Sequence, residues 1–328
     1  MRASVSRHFE GRDADDYERF VVEARGGHYG QTRRWAGVAT AGRSERALEV
    51  LVRDGGRVVG CALVRRWSAG GLGGPVARIE RGPVCDDPEL VAPVARVIAR
   101  ALRLRGIVRL SVMPYWSGSD AGDVERALAK ARFRSVQAHD GAHACTVRLS
   151  LGGRDDDEIL AGPERRALRS ELKQARRHGL VARRVGPEGV GTLARLHADL
   201  MRRQGRSGDV RPPPFFDRLA MVVAHANVAL FLGEHEGEAL AAVLAVRHGR
   251  LATFVMGATD ASRRPFTKMA PTLMAAVRWA RDAGAEAFDL GGVPMPGDAD
   301  PKRVAIARFK LDFASALVRL VGEHVRWL

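Results

Sequence analysis

The sequence contains few of the residues and segments that mark a disulfide scaffold, a metal centre or a membrane protein. Its three cysteines, Cys61, Cys85 and Cys145, lie far apart and form no CxxC pair. The histidines show no metal-ligand spacing, and His139 and His143 are predicted to be loop residues. No run approaches the ~18–20 apolar residues of a membrane span, and the first residues lack the apolar centre of a signal peptide. We therefore expect a cytoplasmic protein without disulfide, metal or membrane span.

Aromatic residues are scarce, at 6%, and acidic residues are outnumbered, with 38 Asp+Glu against 53 Lys+Arg. The formal net charge of +15 favours partners that carry phosphate, although an excess of arginine over lysine is also typical of GC-rich coding. With 46% apolar and 28% charged residues, the chain is able to build ordinary hydrophobic cores. Its 328 residues correspond to about two domains of ~150 residues each.

Two parts of the sequence follow the same order of elements. Each begins with two strands around a glycine-containing turn, since glycine adopts the positive φ of a tight hairpin. In each, a later helix is stopped by glycine and leads into a further strand. These segments are the hairpins at 47–66 and 228–247, the helices at 89–104 and 271–282, and the stop glycines Gly106 and Gly284. The spacing of ~180 residues predicts a duplicated domain rather than a solenoid, and the pattern predicts a mixed α/β fold.

This order of elements resembles the acyltransferases of the GNAT type, whose mixed sheet carries helices on both faces. Ordinary members of that fold bind coenzyme A through an R/Q-x-x-G-x-G/A loop at a helix N-terminus, where free backbone N–H groups bind the pyrophosphate. The corresponding segments here, RIERGPVCDDPE and ASRRPFTKMAPT, lack the paired small residues. The sequence therefore disfavours coenzyme A as the acyl donor.

The most basic stretch of the chain is PERRALRSELKQARRHG at 163–179. Pro163 suits the first turn of a helix and Gly179 its C-terminal stop. Helical spacing places several of the cations on one side, where they can follow a phosphate backbone. The alternative is an ordinary solvated helix face. The cations of this helix are Arg165, Arg166, Arg169, Lys173, Arg176 and Arg177.

A proline-rich segment, RQGRSGDVRPPPFFDRL, follows an amphipathic helix predicted at 190–203. Three prolines are expected to hold Arg211 and Phe215 in an extended, rigid loop. An arginine beside an aromatic ring is a plausible clamp for phosphate or carboxylate. The alternative is a structural loop in which Phe215 and Phe216 anchor the core.

The third notable segment, FDLGGVPMPGDADPKRVAIARFKLDFAS at 288–315, combines a strand that ends in a glycine pair with an amphipathic piece. That piece carries Lys310 between Phe309 and Phe313. A lysine bracketed by aromatic residues in an apolar run is expected to be partly buried. Because a buried ammonium is costly without a partner, such a lysine tends to be paired or functional. In the alternative, Lys310 extends into solvent.

In their order and spacing, these segments resemble the FemABX family of aminoacyl-tRNA-dependent peptidyltransferases. The motifs that carry the resemblance are QTRRWAGV, RGPV, TVRLSL with ARRHGL, RQG…VRPPPFF, FVMGATD, FDLGG and FKLDF. The resemblance implies two GNAT-like domains, 1–146 with 317–328 and 147–316, the C-terminal strand returning to complete the first domain. The second domain is expected to carry most of the substrate groove. Between Gly179 and the second hairpin there is room for one helix and the proline loop only, as in compact members without a helical arm.

The resemblance also implies an activity, the transfer of an amino acid from aminoacyl-tRNA to an amine, with the charged tRNA as co-substrate and no cofactor. Lys310 takes the position of the family's FK lysine and is expected to stabilise the oxyanion and the tRNA end, assisted by Phe309. Arg211, with Phe215, is expected to bind the acceptor. The basic helix is expected to bind tRNA.

The sequence departs from the family on the acceptor side. Ala39 stands where the family has a lysine, and Phe254 and Met256 stand where compact members have tyrosines. These two positions and Asp289 are expected to line the acceptor pocket. The prediction of an aminoacyl-tRNA donor therefore has more support than the prediction of a cell-wall nucleotide acceptor. A small peptide or a natural-product amine is an open alternative for the acceptor. Two other functions remain, an N-acyltransferase using acyl-CoA or acyl carrier protein, and a non-catalytic protein that binds tRNA or peptide. The sequence leaves the oligomeric state open, a monomer being plausible.

Overall fold

The structure, a computed structural model, describes residues 1–68, 74–136, 144–294, 300–314 and 317–328. His139 and His143 lie outside the described residues. In the described ranges the chain forms two mixed β-sheets, each with helices packed against it. The three cysteines are buried and free.

Seven strands of the described residues form the first sheet, in the order β1-β2-β3-β4-β5-β14-β6. Helix α3 packs on this sheet with an apolar face that includes Val94, Ile98 and Leu102. The strands are β1 (Arg2–Ser6), β2 (Arg46–Asp54), β3 (Arg57–Ser68), β4 (Pro75–Glu80), β5 (Arg109–Met113), β6 (Arg134–Ser135) and β14 (His324–Trp327), and the helices are α1 (Gly11–Glu23), α2 (Arg33–Thr40), α3 (Val91–Arg103) and α4 (Ser119–Lys130).

The second sheet has the order β8-β9-β10-β11-β12-β7-β13 in the described residues. Its strands are β7 (Cys145–Ser150), β8 (Val181–Val185), β9 (Val228–His235), β10 (Glu238–His248), β11 (Leu251–Thr259), β12 (Ala287–Gly292) and β13 (Leu317–Arg319). Its helices are α5 (Asp156–Ile159), α6 (Arg166–Arg177), α7 (Val190–Arg203), α8 (Pro213–Val223), α9 (Met269–Asp282) and α10 (Pro301–Leu311).

The two sheets repeat one topology, position by position, which confirms the predicted tandem arrangement. The antiparallel hairpin β2–β3 of the first sheet corresponds to β9–β10 of the second. Both turns have two residues with positive φ, Gly55-Gly56 and Glu236-Gly237, as a tight hairpin requires. In both sheets the next two strands are parallel, β4–β5 and β11–β12. The helix before each second parallel strand is followed by a glycine with positive φ, Gly106 or Gly284.

The C-terminal strand β14 completes the first sheet by pairing with β5 on one side and β6 on the other. The resemblance had implied this return. By internal contacts, the first unit consists of Met1–Thr146, Val318–Leu328 and a short segment that starts at Gly292. The second unit consists of Val147–Gly291 and a segment that ends at Leu317. The segment from Gly292 joins the first unit, where the N–H of Val293 donates to the carbonyl of Cys145.

The parallel strand pair differs between the two units. In the first sheet, β4 and β5 pair from Val76↔Arg109 to Glu80↔Met113, so that the pair is closed along its length. In the second sheet, β11 and β12 pair from Leu251↔Ala287 only as far as Thr253↔Asp289. Both strands continue beyond this point, and β11 carries a bulge at Val255, opposite the step from Leu244 to Ala245. The second sheet is therefore split between its central strands.

The region between Gly179 and the second hairpin contains more structure than predicted. Instead of one helix and an extended loop, it holds β8, α7, a short 3₁₀ turn at Ser207–Asp209 and α8. Two of the three prolines occupy the first turn of α8, where a missing N–H costs no hydrogen bond. The prediction that Phe215 lies in the loop was therefore wrong, because it belongs to this helix and is buried.

Candidate active site in the second unit

Lys310 lies near the C-terminal end of α10 and is only 8% exposed. Phe313, three residues further on, is fully buried, and its ring meets that of Phe309 edge to face at 5.5 Å. Burial lowers the pKa of Lys310 to about 8, while the nearby carboxylate of Asp289 acts in the opposite direction. The lysine is thus buried, as the surrounding aromatic residues predicted, and does not extend into solvent.

The ammonium group of Lys310 faces the place where β11 and β12 separate. Its Nζ is 5.9 Å from the ring centroid of Phe254, close enough for a cation–π attraction. On the other strand, Gly291 has a φ of +80°, and a Cβ at this position would lie 3.5 Å from Nζ and 3.4 Å from the carbonyl oxygen of Phe254. The glycine therefore allows the backbone of β12 to pass beside the ammonium.

Asp289 supplies the negative charge beneath Lys310. It is 3% exposed and stands at the last paired position before β11 and β12 separate. One carboxylate oxygen accepts a hydrogen bond from the N–H of Gly291 at 2.7 Å, and the other lies 3.3 Å from Nε of Arg148. Asp289 thus lies between two cations and is held in place by backbone.

Arg148 belongs to this cluster but was not singled out from the sequence. It projects from β7, between the buried residues Val147 and Leu149. In the sequence it takes an ordinary polar position in the alternation of Val147, Arg148 and Leu149, so no local signal distinguishes it. Its partner lies 141 residues further along the chain.

Arg165 has a different position from the one predicted. It was expected on the exposed face of the basic helix, but it ends a 3₁₀ turn before α6 and is 6% exposed. Its Nη1 donates to the carbonyls of Leu311 and Asp312, at 3.1 and 3.2 Å. Arg165 thereby caps the end of the helix that carries Lys310. It belongs to the support of the site and does not form part of a surface stripe.

The other cations of the basic helix are exposed, as both a phosphate-binding stripe and an ordinary solvated face require. Arg169 donates to the carbonyls of Leu160 and Gly162, which tethers its side chain. Lys173 and Arg176, together with Arg278 of α9, line a shallow cavity of about 490 Å³. Because Arg165 joins α6 to the end of α10, this face begins beside the Lys310 helix. The exposed cations are Arg166, Arg169, Lys173, Arg176 and Arg177.

Arg211 lies in the segment that joins α7 to α8 and forms a second cluster. Its guanidinium stacks over the ring of Phe215 at 5.4 Å. His197 of α7 is buried nearby, 6.1 Å from the ring of Phe216. Burial, and then the charge of Arg211, lower the pKa of this histidine, so it is neutral at pH 7. His197 was not singled out from the sequence, because it falls within the apolar face of α7.

Three further positions that were discussed for the acceptor side lie on regular secondary structure. Phe254 and Met256 lie on β11, half-buried, on either side of the bulge. Ala39 lies near the end of α2 in the first unit.

The loop before α9 corresponds to the pyrophosphate loop of ordinary GNAT domains. Here the ammonium of Lys268, directly before the helix, binds the carboxylate of Asp260 and the carbonyl of Ser262. The lysine is largely buried in this arrangement. This loop thus contains an internal ion pair, and it lacks the paired small residues with which a pyrophosphate loop exposes its backbone N–H groups.

Taken together, the geometry offers a buried cation at an open strand edge, where it can stabilise negative charge that develops on a substrate oxygen. Among the described residues, no group of His, Cys, Asp and Glu has the geometry of a metal site. In the same ranges, no helix is long and apolar enough to cross a membrane.

Comparison with known proteins agrees with this architecture. Residues 164–303 match the model of the acetyltransferase (GNAT) domain. FemX is similar over 100% of this chain and 98% of its own, with a TM-score of 0.81 at 19% identity. L-PGS from Bacillus licheniformis is similar over 95% of this chain and 91% of its own, with a TM-score of 0.61 at 14% identity. A tandem GNAT protein from the clavulanic acid biosynthesis pathway is similar over 99% and 98%, with a TM-score of 0.55 at 12% identity. No curated protein matches the chain.

The chain therefore has a Fem-like fold of two tandem GNAT domains, a fold of acyltransferases. The matched domain model covers the part of the second unit that contains the split between β11 and β12.

Proposed function

We propose that the protein is an aminoacyltransferase that moves an amino acid from aminoacyl-tRNA to an amine of a small peptide, a cell-wall precursor or a natural-product acceptor. The observation that carries the proposal is the buried Lys310 ammonium beside Asp289, at the split of the second sheet. The similarity of the fold to FemX supports it, as does the resemblance of Phe309 and Lys310 to the family's FK pair.

The reaction is the aminolysis of an ester. The acceptor nitrogen attacks the aminoacyl carbonyl carbon, a C–N bond forms, and the C–O bond to the tRNA 3′ oxygen breaks. The proton lost by the amine passes to the leaving ribose oxygen or to water. Negative charge develops on the carbonyl oxygen, and the Lys310 ammonium is placed to stabilise it. One such donor contributes about 2.7–4 kcal/mol to catalysis in comparable oxyanion sites.

The donor is inferred from charge and from the turn before α9. The exposed cations of α6 begin beside the Lys310 helix and suit a phosphate backbone. The segment before α9 lacks the paired small residues of a coenzyme A pyrophosphate loop, and its Lys268 is bound by Asp260. Both features favour charged tRNA over acyl-CoA.

The test follows both donors with one panel of amines. Purified protein is incubated with aminoacyl-tRNA or acyl-CoA, and loss of each ester and formation of each amide are measured in single turnover. Lys310→Met keeps most of the apolar stem, and we expect it to reduce the rate by ~10²–10³-fold with little change in tRNA affinity. Lys130→Met, the same change at an exposed lysine of α4, serves as the control.

Two results would contradict the proposal in different ways. A Lys310→Met rate within threefold of wild type would make the lysine structural. Consumption of acyl-CoA but not of aminoacyl-tRNA, with the Lys310 effect intact, would keep the site and replace the donor.

A further inference from the structure

A second basic surface lies in the first unit, whereas the Lys310 site belongs to the second. The first strand, helix α3 and the last strand β14 enclose an open groove of about 740 Å³. Arg2, Arg96, Arg100 and Arg103 line it, with Leu104 and Trp327. None of its lining side chains is acidic.

The arginines of this groove form a regular row. Arg96, Arg100 and Arg103 are exposed, and their spacing of four and three residues places them on one face of α3, about one turn apart. The opposite face of the helix is buried in the core of the unit. Within the described parts of the chain, these three side chains form no ion pair, in contrast to arginines such as Arg33, Arg53 and Arg65.

Two large apolar side chains are exposed beside this row. Trp327 is 72% exposed and Leu104 is 83% exposed. Trp327 lies on β14, at the position paired with Arg109 of β5. An indole left in solvent beside a row of arginines is the combination that binds unpaired nucleotides, because bases stack on the ring while the arginines follow the phosphates.

We propose that this groove of the first unit is an RNA-binding surface, on which the α3 arginines contact successive phosphates and Trp327 stacks on an unpaired base. Arginine can donate to a base edge, but no lining side chain of the groove can hydrogen-bond both the donors and the acceptors of a base edge, so we expect the contact to follow the backbone and not the sequence. The identity of the RNA as tRNA rests on the proposed function, while the surface itself does not. A second copy of the chain is a poor occupant, since a two-fold contact would bring the same arginines face to face.

The experiment measures binding of uncharged tRNA by fluorescence anisotropy at several salt concentrations. The groove variant is Arg96→Gln/Arg100→Gln/Arg103→Gln, with Trp327→Ala as a separate protein. A matched control, Arg7→Gln/Arg34→Gln/Arg46→Gln, removes the same charge from exposed positions of the same unit outside the groove. All of these side chains are exposed, so thermal unfolding should remain as in wild type.

We expect the groove variant to bind tRNA at least about tenfold more weakly than the control variant. The slope of log K for tRNA binding against log salt concentration should be smaller in magnitude by about 2–3. Trp327→Ala should weaken binding by about fivefold or more without changing the salt dependence. The single-turnover transfer rate at saturating tRNA should be unchanged in both variants.

Three outcomes would overturn the inference. Equal weakening by the groove and control variants would reduce the effect to net charge. Vesicles with 30% phosphatidylglycerol that bind the wild type but not the groove variant, with RNA binding unchanged, would assign the groove to a membrane surface. A dimer in sedimentation velocity that only the groove variant abolishes would assign it to self-association. RNA binding lost with the groove, in a protein that shows no transfer from aminoacyl-tRNA, would keep this surface and reject the proposed function.

Discussion

The charge of Lys310 should set the alkaline limit of the reaction. Its pKa of about 8 means that the ammonium predominates at pH 7 and is a minority by pH 9. The displacement from the usual 10.5 is equivalent to about 3 kcal/mol, which is the order of the cost of charging this side chain in its buried setting. If the ammonium stabilises the oxyanion, the single-turnover rate with an acceptor amine that is already neutral at pH 8 should fall about tenfold for each pH unit above 8.

The measurement is a pH–rate profile between pH 6 and 10, with rapid quenching because aminoacyl esters hydrolyse in alkali. The acceptor amine gains reactivity as it loses its own proton, so we expect a bell-shaped curve whose descending limb belongs to Lys310. Lys310→Arg provides the decisive comparison, because a guanidinium keeps its charge throughout this range. The variant should be slower at pH 7 and should lack the descending limb. An identical limb in wild type and Lys310→Arg would refute the assignment.

The same lysine should make the folded protein more stable as the pH rises, whereas it makes the reaction slower. A lysine whose pKa is lower in the folded than in the unfolded state destabilises the fold while it is charged, below about pH 8. The free energy of unfolding should therefore rise between pH 8 and 10.5, by up to about 3 kcal/mol, relative to a variant without this group. Lys310→Met supplies that reference, and chemical denaturation of both proteins across this range measures the difference. At pH 7 the variant should unfold no more easily than wild type.

Two further substitutions test the surroundings of the site. Arg165→Gln should lower the free energy of unfolding by about 1–3 kcal/mol, because it removes a buried donor from the carbonyls of Leu311 and Asp312. The affinity for tRNA should be unchanged. A weaker salt dependence of tRNA binding with unchanged stability would instead assign Arg165 to the RNA-binding surface. Arg211→Ala should raise KM by about tenfold or more for acceptors that carry phosphate or carboxylate, with kcat nearly constant; an equal effect on a neutral amine would exclude anion binding by Arg211.

The elements governed by local rules were predictable from the sequence. Both hairpins follow from glycine at positions where φ is positive, and the end of α3 follows from Gly106. The burial of Lys310 follows from its two phenylalanine neighbours in the sequence. Each of these features depends on residues only a few positions apart.

The features that were missed depend on contacts between distant residues or on how helices begin. Helical spacing placed Arg165 on a surface, but the helix starts one residue later and its side chain turns towards Leu311. Consecutive prolines were interpreted as a loop, although proline is also favoured in a first helical turn. The pairing of Arg148 with Asp289 joins two strands of one sheet, which no local pattern indicates.

The place of β14 in the first sheet has a consequence for the order in which the protein is made. This strand lies between β5 and β6, yet it is encoded after the entire second unit. During synthesis the first unit emerges with the facing edges of β5 and β6 unoccupied. The strand at the equivalent place in the second sheet, β7, is made before the other strands of that sheet, so the second unit has no such gap to fill. The N-terminal half must therefore wait with two open edges until the last strand leaves the ribosome, and it is the half most exposed to mispairing or to a chaperone in the interval.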